Sequence, residues 1–444
     1  MNISVIGAGK SGISAALLAK RKGNNVFLSE SNSKENYEKE QEILKENNIE
    51  CEFGANTEKA IEFADFIISS PGVPPNAWII QQAEKKNIKI ISELEFSTQF
   101  LKNPSIAITG TNGKTTTTEL ITFILNNSGR KAIACGNIGK PISDLVGNID
   151  EEQILVIEAS SFQLDRIEKF RPNIAIILNI SPDHLYYHGS IEEYKKAKFK
   201  IFSNQNEKDL LILNNDDKQT LEARAFARGQ LDYFSINPMQ HGIYCKDSSL
   251  AIRFPNKHKE EKIMFLNELS LAGVHNRYNA MAAGLACRAF EVKNENIRDS
   301  LMKFQGVEHR LEFVRKLNGI SFINDSKATN INAAWYALSS YEKPIVWIAG
   351  GRADLNDYSA LDDLVKQRVK AIICIGEEKD NIFNHYCTFT KCKREYSFED
   401  AVSTAYNEAE SGDVVLFAPA CKSFDMFANF EHRGDVFKEL VNEL

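Results

Sequence analysis

Three groups of residues in this 444-residue sequence have types and spacings that can do chemistry. The first is Gly7-Ala8-Gly9-Lys10-Ser11-Gly12, a GxGxxG pattern directly after the apolar run ISVI. Glycines there let the backbone approach a diphosphate, and a helix N-terminus supplies amide donors. Glu30 ends the next apolar run, 18 residues after Gly12. Alone, this pattern also describes a tight turn with no ligand, and it does not separate NAD from another nucleotide diphosphate. The second group is Thr109-Gly110-Thr111-Asn112-Gly113-Lys114-Thr115-Thr116, a GxxGK[ST] loop. Ile108 stands where the full Walker pattern has its first glycine. In such a loop backbone amides surround phosphates, Lys114 reaches the β/γ oxygens, and the Thr115 hydroxyl suits Mg²⁺. The third group is Glu158, ending ILVIE, with Asp183 and His184 after IAIILNI. Carboxylates suit Mg²⁺ and histidine less so, which makes Glu158 and His184 candidate ligands facing Lys114.

Two smaller clusters add polar groups. Asn276 and Asn279 are spaced i,i+3 and share one helix face. Arg310 offers a phosphate partner, and Asp325 in NDSKATN a ribose acceptor.

Parallel α/β elements must position these groups, because ligands collect beyond the carboxyl ends of parallel strands. Short apolar runs alternate with amphipathic stretches along the whole chain, the pattern of mostly parallel sheets. Strands are predicted at ISVIG, VFLSE, Phe66–Ser69, Ile88–Ile91, SIAIT, ILVIEA and IAIILNI. Helices are predicted over Ser14–Arg21, Lys34–Asn47 and Thr116–Asn127. Residues 205–270 are more polar and carry β segments (LILNN, DYFSI, GIYC, LAIRF). Strands SFIND, IVWIAGG, AIICIG and VVLFAPA follow. The expected domains are 1–93, 94–303 and 304–444.

Composition excludes several classes. Lys plus Arg is 53 and Asp plus Glu is 60, a net charge of −7, so a general nucleic-acid binder is not expected. No apolar run reaches the ~18–20 residues of a membrane span. The N-terminus enters a strand and a glycine turn at once, so no secretory leader is expected. Eight scattered cysteines without a CxxC read as reduced thiols in the cytoplasm.

The order of motifs carries a resemblance. TGTNGKTT, EASSFQL, SPDHL, YKKAKFKIF, GVHNRYNA, VEHRLEF, NDSKATN and APACKSFDMFANFEHRGDVF follow one another. Over nearly its whole length the chain resembles the Mur ligase family. GTNGKT, the HN helix and HR are shared with folylpolyglutamate synthases. NDSKATN and the PACxSFDxFxNFExRG tail resemble the D-glutamate-adding branch. The resemblance implies a Rossmann-like N-terminal domain, a central P-loop ATPase with a mostly parallel sheet, and a Rossmann-like C-terminal domain. It implies ATP-dependent addition of D-glutamate to UDP-N-acetylmuramoyl-L-alanine by a monomer.

By motif, Lys10, Ser11, Glu30, Ser31 and Gly72 would line the uridine diphosphate site. Asn137, Gln163 and His184 would face the rest of that substrate. Gly110 to Thr116, Asn276, Asn279, Arg310, Asp325 and Lys327 would contact ATP. Thr115, Glu158, His184 and a carbamylated Lys198 would serve Mg²⁺. Lys114, Glu158, His184 and Lys198 would form the catalytic set, and Thr329, Ser423 and Phe430 would contact the amino acid. Two departures stand out: Tyr186 replaces an expected aspartate, and Asp354 replaces an expected lysine. Rival readings are an NAD-dependent dehydrogenase, built on Gly7–Gly12, a folylpolyglutamate-type ligase, built on the ATPase alone, a related ligase of different amino-acid specificity, and a non-catalytic homologue, motivated by Asp354 and Tyr186.

Overall fold

Buried apolar runs become strands, and the amphipathic stretches between them become helices. The computed structural model describes residues 1–253, 260–271, 273–352 and 356–444; the side chains of Tyr186 and Asn332 also fall outside the description. These residues form three sheets in two compact units, Met1–Phe304 and Gln305–Leu444.

The first sheet contains β1 (Asn2–Ile6), β2 (Asn25–Glu30), β3 (Glu50–Phe53), β4 (Phe66–Ser69) and β5 (Lys89–Ser92) in the order β3-β2-β1-β4-β5, all parallel. Apolar side chains alternate between its two faces, one centred on Val5 and Leu28, the other on Ile6 and Ile67. The strand order reverses between β1 and β4, where a doubly wound sheet opens a crevice.

The second sheet contains β6 (Ser105–Thr109), β7 (Ala132–Gly136), β8 (Ile154–Glu158), β9 (Ile174–Ile177), β10 (Leu210–Asn214), β11 (Gln230–Ser235), β12 (Gly242–Lys246), β13 (Ser249–Arg253) and β14 (Glu261–Phe265). Its order is β14-β13-β12-β11-β10-β9-β6-β8-β7. Strand β6 therefore lies between the strands that lead to Glu158 and to His184. Only the β12–β13 and β13–β14 pairings are antiparallel.

Unit Gln305–Leu444 holds β15 (Glu312–Leu317), β16 (Ile320–Asn324), β17 (Ile345–Gly350), β18 (Val369–Ile375), β19 (Lys391–Arg394) and β20 (Val414–Phe417). Their order is β15-β16-β20-β17-β18-β19, with only β15 antiparallel. Two apolar layers sandwich the sheet, one around Trp347 and Leu416, the other around Ile348 and Phe417. Each fully buried Ile or Leu of such layers stabilises the fold by about 1.5–3 kcal/mol.

The structure departs from the sequence expectations at element ends. The predicted helix 34–47 is a turn, Lys34–Asn36, followed by helix Glu38–Glu46, because Tyr37, at φ −138° and ψ 34°, leaves the helical region between them. The first helix begins at Lys10 rather than Ser14, and the loop helix at Lys114 rather than Thr116. Strands β3, β7, β14, β15 and β19 have no counterpart in the sequence reading. Among the described residues no helix is long and apolar enough to cross a membrane.

Candidate active site

The phosphate loop follows from strand β6, whose five residues are all buried. The chain must turn sharply at its end, and Gly110 (φ +156°) and Gly113 (φ +85°) make the turn. A Cβ on Gly113 would sit 2.4 Å from Asn279 Oδ1, so only glycine fits beneath that asparagine. Helical bonding starts with the Thr117 amide donating to Gly113 O at 2.9 Å. The amides of Lys114, Thr115 and Thr116 thus form the first turn, the positive end of a 14-residue helix. The Thr111 amide donates to Asn179 O and the Asn112 amide to Asn179 Oδ1, each at 2.9 Å. These two amides brace the loop against the segment after β9, so the anion-facing cradle is shorter than Gly110–Thr116. Sequence reasoning missed Asn179; its only signal was an asparagine immediately after a buried apolar run.

Charged groups converge beside this loop. Lys114 Nζ donates to Gly110 O and Thr111 O, both at 2.8 Å. Lys198, on helix Ile191–Phe199, is 1% exposed and donates to the same Gly110 O at 2.8 Å. Its ammonium lies 4.4 Å from the Tyr194 ring centre. Burial first, then the charge of Lys114, pushes the Lys198 amine well below the ordinary lysine range; Asp183 and Glu158 pull the other way. His184 sits in the loop beyond β9, not at the strand's last residue, with φ +52°. Burial lowers its pKa, Asp183 opposes that, and the Lys114 and Lys198 charges reinforce it. Phe162 and Tyr194 ring it at centroid distances of 4.9 and 6.4 Å.

Glu158, 2% exposed at the end of β8, is the carboxylate of this group. Asn137 Nδ2 donates to its Oε1 at 2.8 Å, and the Asn137 amide donates to Glu158 O at 2.9 Å. Glu158 Oε2 is buried without a hydrogen-bond partner. A buried anionic oxygen without a donor calls for a cation. No three His, Cys, Asp or Glu among the described residues converge as a cage. One carboxylate beside a phosphate loop suits Mg²⁺, which usually completes its shell with substrate phosphates and water.

Asn276 and Asn279 lie together on helix Val274–Ala289. Asn279 Nδ2 donates to Asn276 Oδ1 at 3.2 Å, and Asn279 Oδ1 accepts from Thr117 Oγ1 at 3.3 Å. Gln163 is buried in a capping box with Ser160, and its Nε2 has no partner.

The first sheet gathers its candidates at its carboxyl edge. Lys10 and Ser11 open the first helix, Ser31 follows β2, and Gly72 follows β4; Lys10, Ser31 and Gly72 are exposed. Glu30 is 6% exposed. Its Oε2 accepts from the Ala8 amide at 2.7 Å, and its Oε1 accepts from the Asn32 amide at 2.9 Å and Asn32 Nδ2 at 2.8 Å. Glu30 therefore already staples the glycine turn to the end of β2.

Within Gln305–Leu444 the candidates again meet at a sheet's carboxyl edge. Asp325 follows β16 and accepts from the Leu311 amide at 3.2 Å; burial pushes its pKa up to about 6 against the charge of Arg310. The half-buried Arg310 lies between His309 (φ +61°) and Leu311 (φ +44°). Lys327 Nζ stands 5.7 Å from the Phe430 ring centre, Thr329 is half-buried, and Ser423 is 2% exposed. Sequence reasoning missed Arg433, which is 2% exposed. It donates Nε to Ser326 Oγ at 3.0 Å, Nη2 to Ser326 O at 2.8 Å and Nη1 to Cys421 O at 3.1 Å, tying the loops after β16 and β20. Its place in NFEHRG was the available signal. Asp354 lies outside the described residues, as does the Tyr186 side chain. A cavity of about 330 Å³ opens at the opposite edge of the central sheet, between Lys102, Lys169 and Arg171; none of the candidate residues borders it.

Residues 1–92 match the MurD-like N-terminal domain of Mur ligases, 108–287 the Mur ligase middle domain, and 309–421 the Mur ligase glutamate ligase domain. The chain belongs to the Mur ligase family. This Mur ligase is 43% identical to the UDP-N-acetylmuramoylalanine–D-glutamate ligase of Chloroherpeton thalassium, over 99% of this chain and 98% of that protein. It is 39% identical to the enzyme of the same name from Bacteroides thetaiotaomicron, over 100% and 99%. Among solved structures it shares the fold of the UDP-N-acetylmuramate–alanine ligase MurC of Thermotoga maritima (TM-score 0.59, 19% identity, 100% and 99% covered). It likewise shares that of MurF from Acinetobacter baumannii (TM-score 0.57, 19% identity, 95% and 92% covered). Mur ligases are ATP-dependent, ADP-forming acid–amino-acid ligases, and this chain is an enzyme of that class. The dehydrogenase reading of Gly7–Gly12 is set aside.

Proposed function

We propose that this Mur ligase joins D-glutamate to UDP-N-acetylmuramoyl-L-alanine at the expense of ATP, a step of peptidoglycan precursor synthesis. The observation that carries the chemistry is the partnerless Glu158 Oε2 beside Lys114, Lys198 and the phosphate loop. The amino acid is inferred from the full-length relatives at 39–43% identity.

A carboxylate resists attack by an amine because its leaving group would be oxide. Transfer of the γ-phosphoryl of ATP to the substrate carboxylate gives an acyl phosphate. The amine of D-glutamate then adds to the acyl carbon, forming the C–N bond; the nitrogen loses a proton, and phosphate leaves as the carbonyl re-forms. The first step brings two anions together, so positive groups must lie where charge builds. Lys114 and the first-turn amides of Lys114–Thr116 fill that need on the ATP side, and Asn276 and Asn279 support the loop. Thr115, Glu158, His184 and Lys198 would hold Mg²⁺, which when bound screens the phosphates and polarises the transferred group. Lys198 suits this as a carbamate: burial lowers its pKa and so favours the uncharged amine, whose Nζ can bond to the carbon of CO₂ with loss of a proton, leaving an anion.

Lys10, Ser11, Glu30, Ser31 and Gly72 would take the uridine diphosphate, and Asn137, Gln163 and His184 the remainder of that substrate. Arg310, Asp325 and Lys327 would meet ATP, and Thr329, Ser423 and Phe430 the amino acid. We place the domain boundaries near residues 93 and 303 and read the enzyme as a cytoplasmic monomer.

Phosphate release from ATP, with UDP-N-acetylmuramoyl-L-alanine and a panel of D- and L-amino acids, tests the reading. D-glutamate should give the highest rate. Preference for another amino acid would reassign the specificity, and no release with any of them would remove the ligase reading.

A further inference from the structure

The carboxyl of Glu93 lies where the lobe built on the first sheet, β1–β5, meets the second, central sheet, outside the sites described above. It opens helix Glu93–Thr98 and is 1% exposed. Its Oε1 accepts from the Ser143 amide at 2.7 Å, Ser143 Oγ at 2.7 Å and Ser97 Oγ at 3.2 Å. The two hydroxyls are themselves 2.6 Å apart. Oε2 is buried without a partner. Burial pushes this acid above the usual carboxylate range, against the three donors. A polar cluster this well joined on one side fixes a single arrangement of the helices it links.

Those helices lead to the active site. Ser143 lies in helix Ile142–Leu145; Ile142 and Leu145 pack in the central core, and the adjacent Val146 packs in the core of the first lobe. Arg21, ending the first lobe's Lys10–Arg21 helix, donates Nη2 to Ser143 O at 3.1 Å. Ser143 is thus held by two helices, Lys10–Arg21 and Glu93–Thr98. Backwards along the chain, the turn after β7 is closed by the Gly136 amide donating to Lys140 O at 3.1 Å. Asn137 sits in that turn and holds Glu158 Oε1. The path from the first lobe to Glu158 runs through hydrogen bonds, one closed turn and the short chain segment between Lys140 and Ser143.

We propose that Glu93 and Ser143 are positioning residues that transmit the seating of the sugar-nucleotide lobe to the Glu158 carboxylate, so that the sugar-nucleotide and Mg²⁺-ATP bind interdependently. This rests on the functional reading above and adds to it a coupling between the two ligands. A shift of helix Ile142–Leu145 moves Asn137, and Asn137 sets which way Glu158 Oε2 faces.

Calorimetric titration of the full-length chain with Mg²⁺ and β,γ-methylene-ATP, with and without saturating UDP-N-acetylmuramoyl-L-alanine, measures the coupling. Wild type should change its Kd for the analogue at least about fivefold when the sugar-nucleotide is present. Ser143→Ala, which removes the hydroxyl bond to Glu93 but keeps the backbone bonds to Glu93 and Arg21, should lower that ratio measurably toward one while each ligand still binds separately. Glu93→Gln should keep the ratio, because its Oε1 can still accept the same three bonds; Glu93→Ala should lose it. A purely structural role would lower the melting midpoint and leave the ratio intact. The proposal is overturned by a wild-type ratio of one, or by a Ser143→Ala ratio equal to wild type. If wild type binds neither ligand, the functional reading falls instead.

Discussion

Two ammonium groups, on Lys114 and Lys198, donate to one carbonyl, Gly110 O, each at 2.8 Å. Like charges that share an acceptor in a buried place repel, and that repulsion is part of what lowers the Lys198 amine. A carbamate on Lys198 would exchange the repulsion for attraction. Lys198→Ala should therefore lose on the order of 10²-fold in turnover, the scale of one lost charge-stabilising group. Formate or acetate should restore part of it by supplying a carboxylate in the gap. Undiminished turnover without added acid would show the lysine to be idle. Asp325 allows a different test, of pH. Its pKa is pushed up from 3.8 to about 6 in the fold. Below pH ~4 both folded and unfolded chains are protonated there, and the group costs nothing. Between pH ~4 and ~6 the unfolded chain ionises first, so stability falls as pH rises, by about 3 kcal/mol in all. Asp325→Asn removes that dependence. Its stability relative to wild type, from urea unfolding without ligands, should improve from pH 4 to pH 8; a constant difference would contradict the burial account.

At the scale of elements, glycine turns decide where helices dock. A Cβ on Gly12 would lie 1.9 Å from Gly7 O, so the first helix rests directly on the turn that precedes it. Gly12→Ala should destabilise the unit by about 1–3 kcal/mol, the usual cost of overpacking. A urea midpoint equal to wild type would show that the helix has slack. Which elements could be read from sequence follows from the same local physics. Strands β6, β8 and β9 are continuous apolar runs covered on both faces, and SIAIT, ILVIE and IAII declare themselves. Strands β3 (ECEF) and β19 (KCKR) are edge strands with exposed lysine or glutamate, and their pairing depends on a neighbour's register rather than on their own pattern. Strand β15 (EFVRKL) is likewise a partly exposed edge. The loop at Thr109–Thr116 was legible because strand, glycines and helix stand in one register. Lys198 was not, since its burial beneath Tyr194 and Gly110 comes from tertiary packing; among the lysines of KKAKFK only the resemblance singled it out. Asn179 and Arg433 act through backbone partners distant in sequence, and no spacing rule points to them.

At the scale of the whole molecule, the two units have separate cores, and each carries its own candidates at a sheet's carboxyl edge. The cluster around Trp347, Leu416 and Val365 draws only on Gln305–Leu444, while those around Val5 and Ile177 draw only on Met1–Phe304. Chains built this way do not unfold as one two-state system. Calorimetry should therefore resolve at least two transitions, which limited proteolysis with peptide mass mapping can assign to 1–304 and 305–444. The proposed sugar-nucleotide contacts all lie in Met1–Phe304. UDP-N-acetylmuramoyl-L-alanine at 100 times its Kd should then stabilise that unit by about 2.7 kcal/mol and raise its transition. The transition of Gln305–Leu444 should stay where it is, because a ligand stabilises only the cooperative unit that holds it. A shift confined to Gln305–Leu444 would relocate the nucleotide site and undo the roles given to Lys10, Ser11 and Gly72. A single transition moving as a whole would show that the two cores melt as one cooperative body.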